Sequence, residues 1–150
     1  MITPPNNSGI YTLILELKHD KNIKIGALGL ITFTAGYYSY TGSARGSGGF
    51  ARVKRHLRIA EAKSTTKRWH IDYLLPYTQP YNVVLTYTWD DLECYISNII
   101  GLHTNTITGF GCSDCRCDGH LHFGPNIDQL IKVVTGAHNI KGTIQKVYSI

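Results

Sequence analysis

Two tyrosines (Tyr11 and Tyr40), an arginine and a histidine four residues apart (Arg52 and His56), and a glutamate (Glu93) are the residues of this 150-residue chain best suited to chemistry. Together these types could hydrolyse a phosphodiester. That reaction needs an activated water, neutralisation of the charge developing on phosphorus, and help for the leaving oxygen. A divalent ion held by a carboxylate polarises the phosphate and stabilises the leaving group. An arginine adds a charged donor of fixed geometry. A tyrosine, with an ordinary pKa of about 10, is a poor base unless a cation or metal lowers it. Each residue also has an ordinary explanation. Taken singly, the tyrosines read as core residues with satisfied hydroxyls and Arg52 as a surface charge. His56 reads as a partly buried residue beside an apolar stripe. Glu93 reads as the N3 partner of Asp90 in a helix capping box. Only their joint occurrence, in order and beside a basic helix, favours chemistry.

A second set is Cys112, Cys115, Cys117, His120 and His122, with Cys94 a candidate neighbour in space. Thiolates and imidazoles are zinc ligands, and four of them could close a structural site, with Cys112, Cys115, Cys117 and His120 the first choice. The spacing departs from the paired CxxC pattern. Two other readings stand: a loop whose Asp114, Arg116 and His120 line a cleft, and reduced cysteines in a small core. Three cysteines within six residues are poorly placed for independent disulfides.

Charge is concentrated. Arg45, Arg52, Lys54, Arg55, Arg58, Lys63, Lys67 and Arg68 are eight of the 15 basic residues, and only Glu61 opposes them in that stretch. Such a field is the footprint of a polyanion partner, or else a solvated helix face. Arg45, Lys54, Arg55, Arg58, Lys67 and Arg68 are the nucleic-acid-binding candidates. The glycine-rich loop Thr41–Gly49 lacks the Gly-Lys-Ser/Thr ending of a nucleotide P-loop, which argues against a nucleotide site. It precedes a helix N-terminus, where its N–H groups could meet a backbone phosphate, or it is a plain turn.

The elements that must position these residues can be read from periodicity. Gly9–Leu17 alternates as a strand and is apolar on both faces in its first half, which predicts a central strand. Lys18–Asn22 reads as a turn and Ile23–Gly26 as a short strand. Leu28–Tyr40 is β-rich, with Gly36 as a bulge or break. Phe50, Val53, Leu57 and Ala60 form an apolar helical stripe, with Arg52 and His56 stacked at its margin. Ser64–Pro76 reads as a second helix, in which Trp69 and Tyr73 share a face and His70 and Asp72 do not. Tyr81–Trp89 reads as a strand, and Asp90–His103 as a helix with Asp90 as N-cap and Leu92, Ile96, Ile99 and Ile100 buried. Thr104–Gly124 is loop-rich, Asn126–Val134 a short helix, and Gly142–Ile150 a final strand. This alternation predicts an α/β (mixed α+β) fold, a small central mixed sheet flanked by helices, in one domain over residues 1–150.

Gly9-Ile10-Tyr11 and Tyr40-Thr41-Gly42 resemble the two namesake motifs of the GIY-YIG nucleases. YTGSARGSGG, RVKRHLR, WHIDYLL and GFGCSDCRCDGHLHF resemble the Uri-type branch of that superfamily over nearly the whole chain. The resemblance implies the following roles. Tyr11 is general base or water-positioning group and Tyr40 its partner. Arg52 binds the phosphate, His56 accepts or orients the tyrosine proton, and Glu93 ligates a Mg²⁺ or Mn²⁺ ion. The tyrosines stand 29 residues apart (40 minus 11), far more than in familiar members, so KIGALGLITF must be an extra element. The second motif has Thr41 where the family has isoleucine. The family's late asparagine has three candidate positions, Asn105, Ser113 and Asp114.

The expected function is therefore a metal-dependent endonuclease acting on DNA, duplex, branched or damaged, with substrate lying over the helix from Phe50 to Lys63. A separate DNA-binding or repair partner, or a homo-oligomer, would supply specificity. The alternatives are a non-catalytic nucleic-acid-binding module, which would need the basic residues but not Glu93, and a zinc-stabilised interaction domain. The chain has no apolar run long enough for a membrane span and no signal-peptide pattern, so a cytoplasmic protein is expected.

Overall fold

The structure is a computed structural model, and it describes residues 5–46, 48–112 and 117–150. Strand β1 (Gly9–Leu17) leads through a hairpin, β2 (Lys21–Ile25) and β3 (Gly29–Phe33), to β4 (Gly36–Ser43). Helix α1 (Ala51–Ala62) and the short α2 (His70–Leu74) precede β5 (Gln79–Tyr87). Then follow α3 (Glu93–Gly101), β6 (Asn105–Thr106), β7 (Leu121–Gly124), α4 (Ile127–His138) and β8 (Ile144–Ser149). The main sheet has the order β6-β7-β4-β1-β5-β8, and β2 and β3 form a separate pair. The mixed α/β class expected from the sequence is present. Within it, the sheet is antiparallel at every pairing rather than mixed. Among the described residues no helix is long and apolar enough to cross a membrane.

Strand β1 is central because both of its faces are apolar. Tyr11, Leu13, Leu15 and Leu17 join one core with Val53 and Ala60 of α1, Ile71 and Leu74 of α2, and Ile23, Ile25 and Phe33 of the hairpin. Ile10 and Ile14 join the other with Val84, Ile96, Ile100, Leu130 and Val134, which brings in α3 and α4. Fully burying such side chains contributes about 1.5–3 kcal/mol each, so a strand sealed on both faces is a rigid base for a site.

Register erases the sequence distance between the two tyrosines. Tyr11 pairs with Gly42 and Leu13 with Tyr40 across the β1–β4 ladder. Since alternate residues share a face, both tyrosines project to the same side, as diagonal neighbours. The β2–β3 hairpin is the extra element between them, folded away from the ladder.

Three local expectations are corrected. Helix α2 is confined to His70–Leu74 because the Asp72 carboxylate captures the Arg68 and Trp69 N–H groups at 2.7 and 3.0 Å, which fixes the helix start at His70. Helix α1 buries Val53, His56, Ile59 and Ala60, so His56 is central to the packed face rather than at its margin. Helix α3 has Leu92 at its N-cap, with no side-chain capping bond. The Asp90–Glu93 capping box is absent: the Asp90 N–H is turned to Thr88 Oγ1 at 3.0 Å, and Glu93 opens the helix.

Candidate active site

The tyrosine face of the sheet ends in a cleft of about 340 Å³. Tyr11, Tyr40, Arg52, His56 and Glu93, five residues from β1, β4, α1 and α3, all line it. Its floor is Tyr11, whose ring is only 1 % exposed. The Tyr11 hydroxyl lies 2.8 Å from His56 Nε2, a residue 45 positions away. Tyr40 stands beside both, its ring 6.5 Å from that of Tyr11 and 6.0 Å from the His56 imidazole. A Cβ at Gly42 would collide with the Tyr11 hydroxyl and ring. The β1–β4 pairing therefore leaves room for the phenol only because glycine stands opposite it.

Burial dominates the electrostatics. It raises the Tyr11 pKa well above 10, with Tyr40 adding to the shift and Arg52 opposing it. It also raises Tyr40, seconded by Glu93. It lowers His56 to about 4, assisted by the cation of Arg55. At neutral pH the pair is therefore a phenol and a neutral imidazole. The buried His56 Nδ1 has no hydrogen-bond partner among the described residues. Glu93 is raised to about 7, by burial first and by Asp91 second, while the Ser43 N–H and Arg52 pull it back. Burial and the neighbouring Asp91 thus disfavour the ionised form of Glu93, which a cation beside it would favour.

Arg52 sends Nη1 to the Ser43 carbonyl at 2.8 Å, and its guanidinium lies 5.1 Å from the Trp69 ring centre. Arg55 and Arg68 crowd the same indole at 4.3 and 5.2 Å. Arg55, a nucleic-acid-binding candidate, pairs with Asp72 through two parallel bonds of 2.9 Å. Arg45 pairs with Asp91 at 3.4 Å and reaches the Trp89 carbonyl, at the rim of the cleft. Lys67 donates to the Ser64 and Asp72 carbonyls. Lys54 and Arg58 are exposed on α1 and do not line the cleft.

The structure gathers Cys94 Sγ, Cys117 Sγ and His120 Nε2 within 4.8 Å of one another, a group that could hold a metal ion. Cys117 Sγ lies 2.7 Å from His120 Nε2 and 3.7 Å from Cys112 Sγ. Cys115, like Ser113, Asp114 and Arg116, lies outside the described residues. His122 does not join the group and lines a separate groove behind it. The other ring nitrogen of His120, Nδ1, faces Glu93 Oε1 at 3.7 Å. A metal-bound histidine commonly donates its second N–H to a carboxylate, which fixes its tautomer. His120 thus ties the cysteine group to the cleft.

Asn105, a candidate for the late asparagine, lies on β6 at the sheet edge and lines a different groove. The short edge strand carries it away from the tyrosines. Trp69, Asp91 and Cys94 are cleft residues that motif reading missed, whereas His120 lines the cleft as one reading of the cysteine loop expected. Asp91 and Cys94 flank Glu93 in sequence, which was the available signal.

A protein-family model described as a domain of unknown function, DUF123, matches residues 10–143. No curated protein and no solved structure matches the chain.

Proposed function

We infer the function of a chain that belongs to the DUF123 family from its cleft: a metal-dependent endonuclease of the GIY-YIG type, cutting phosphodiester bonds in DNA. The observation that carries this reading is the buried 2.8 Å bond between Tyr11 and His56, in one cleft with Tyr40, Arg52 and Glu93.

Arg52 holds the scissile phosphate. Its Nη1 is spent on Ser43, and the remaining N–H groups of the guanidinium serve the substrate. The Tyr11 oxygen takes a proton from the attacking water while its own proton passes to His56 Nε2. The water oxygen bonds to phosphorus, and the ester P–O bond breaks with its electron pair on the leaving oxygen, which is then protonated by solvent. Tyr40 and Trp69 keep bulk water from this pair. Glu93 fits a divalent ion, since it is a cleft carboxylate next to Asp91 with a pKa of about 7. Mg²⁺ and Mn²⁺ are often held by one or two carboxylates, with water and phosphate oxygens completing the shell. When bound, such an ion polarises the phosphoryl oxygen and stabilises the leaving oxygen.

Cys94, Cys112, Cys117 and His120 support a second metal, a structural zinc, whose preference for thiolate and imidazole matches these donors. Its role is to hold the N-terminus of α3, and so Glu93, against the cleft. Purified protein should contain about one zinc per chain, following the usual stoichiometry of a four-ligand site. Chelation should lower its melting temperature, and metal-free protein with an unchanged melting curve removes the zinc.

A nicking assay on plasmid and branched DNA with Mg²⁺ or Mn²⁺ tests the function. Tyr11→Phe and Glu93→Ala should each lose cutting by at least about a hundredfold, the scale of losing a general base or a metal ligand, while retaining DNA binding. Full activity in Glu93→Ala would exclude it as the ligand. Binding without cutting of any substrate would favour a non-catalytic module.

A further inference from the structure

The β2–β3 hairpin, inserted between the two tyrosine strands, carries charge that the cleft does not use. Ile23 and Ile25 are buried in the core, while Lys21 and Lys24 remain exposed, and Lys18 is exposed just before the hairpin. The hairpin packs beside the α1–α2 connection, and two grooves run along that seam. Lys24, Lys63, Lys67 and Tyr73 line one, of about 410 Å³. Lys18, Lys21, Lys63 and Tyr77 line the other, of about 340 Å³. Lys63 and Tyr77 belong to both, so the grooves are continuous.

The inner groove ends one residue short of the arginines that crowd the cleft wall. Lys67 is the neighbour of Arg68, whose guanidinium covers Trp69, a cleft wall. Cation and ring alternate along the path: Lys67 lies 5.6 Å from the Tyr73 ring and Lys21 lies 5.1 Å from the Tyr77 ring. Opposing charge is sparse. Glu16 lines the outer groove, and Asp20 Oδ1 is engaged by the Ala35 N–H at 2.7 Å. None of these five lysines forms an ion pair among the described residues.

We propose that Lys18, Lys21, Lys24, Lys63 and Lys67 form a second DNA-binding track, which holds the phosphodiester backbone beyond the scissile phosphate. It rests on the DNA reading of the cleft and deepens it. A row of lysines interleaved with aromatic rings suits a chain of evenly spaced phosphates, and lysine as a point charge reads no base sequence. The insertion thus does in cis what a separate binding domain would do, and it favours substrates long enough to pass from the cleft onto the hairpin.

The test measures binding of the full chain to a short duplex of about 10 base pairs and a long one of about 30, across a salt series. Lys18→Ala, Lys21→Ala and Lys24→Ala are combined in one variant. Lys132→Ala, Lys141→Ala and Lys146→Ala are combined in a control with the same change in net charge, on α4, the loop after it and β8. The hairpin variant should bind the long duplex about tenfold or more weaker, with the slope of log affinity against log salt reduced by about 2 to 3. It should bind the short duplex as the wild type does, and the control should stay within about twofold on both. Equal losses in hairpin variant and control, or no loss in either, overturn the track while leaving the cleft reading intact. Failure of the wild type to bind either duplex overturns the DNA reading itself.

Discussion

At Tyr11 two demands meet. The ring packs as an interior side chain, and the hydroxyl is the floor of the cleft. Burial raises its pKa, so the residue at rest is a proton donor to His56 and not a base. Activation must come with substrate or a cation, which protects a buried phenolate from forming idly. Gly42 guards this arrangement. Its φ is not in the left-handed region, so alanine there meets no backbone penalty, and its cost is the collision with Tyr11 alone. Gly42→Ala should therefore destabilise by about 1–3 kcal/mol, the usual cost of overpacking. In a Tyr11→Leu background the same change should cost close to nothing, leaving a coupling of about 1–3 kcal/mol between two touching residues. Urea unfolding of the four proteins measures it. Additive costs would mean that Gly42 serves something other than the phenol.

At the level of elements, what could be read depended on whether the signal was local. Strand β1 was legible because apolar residues on both faces leave a strand nowhere to sit but the middle of a sheet. The extra element between the tyrosines was legible as an interruption, although its pairing as a hairpin outside the main sheet was not. Helix α1 was legible in extent but not in phase. An imidazole at the centre of a buried stripe looks wrong until its partner, Tyr11, arrives from a strand 45 residues earlier. The same blindness affects Glu93 when it is read alone, although the joint reading already set it with the tyrosines. Its spacing from Asp90 satisfies a capping box, yet the chain turns at Thr88 and Leu92 caps the helix, which leaves Glu93 for the cleft. Asp72 was passed over because its two backbone bonds and its bidentate pair with Arg55 are made across elements. Cys94, distant in sequence from the other cysteines, was named as a candidate neighbour, and the fold brings it into their group. Residue types were therefore a fair guide to the cleft, and partners across elements were the part that sequence spacing does not encode.

For the whole molecule, the price of two buried cores is several histidines held neutral. Burial depresses His56 to about 4, His122 to about 4 and His138 to about 3. His138 is gripped on the far side of β1 by Thr12 at 2.7 Å and Thr86 at 2.8 Å, and Thr12 bonds Thr41 at 2.8 Å, directly beneath the two tyrosine motifs. In the unfolded chain each histidine titrates near its ordinary value of about 6.5. A depressed folded pKa stabilises the native state above the unfolded value, and that stability is lost as pH falls. Glu93, raised to about 7, acts in the opposite sense: in the acid range the folded state binds its proton more tightly than the unfolded state does. Near pH about 5.5 the unfolded chain then binds about three extra histidine protons and lacks about one on Glu93, a net of about two. Stability should fall by about 2–3 kcal/mol per pH unit there as acid is added. Urea midpoints between pH 7 and 5 measure the slope, and His138→Leu should reduce it by about one proton's worth, about 1.4 kcal/mol per unit. A flat profile across that range would mean that the histidines are not sealed as neutral groups, and that the sheet beneath the cleft is far more open than its packing indicates.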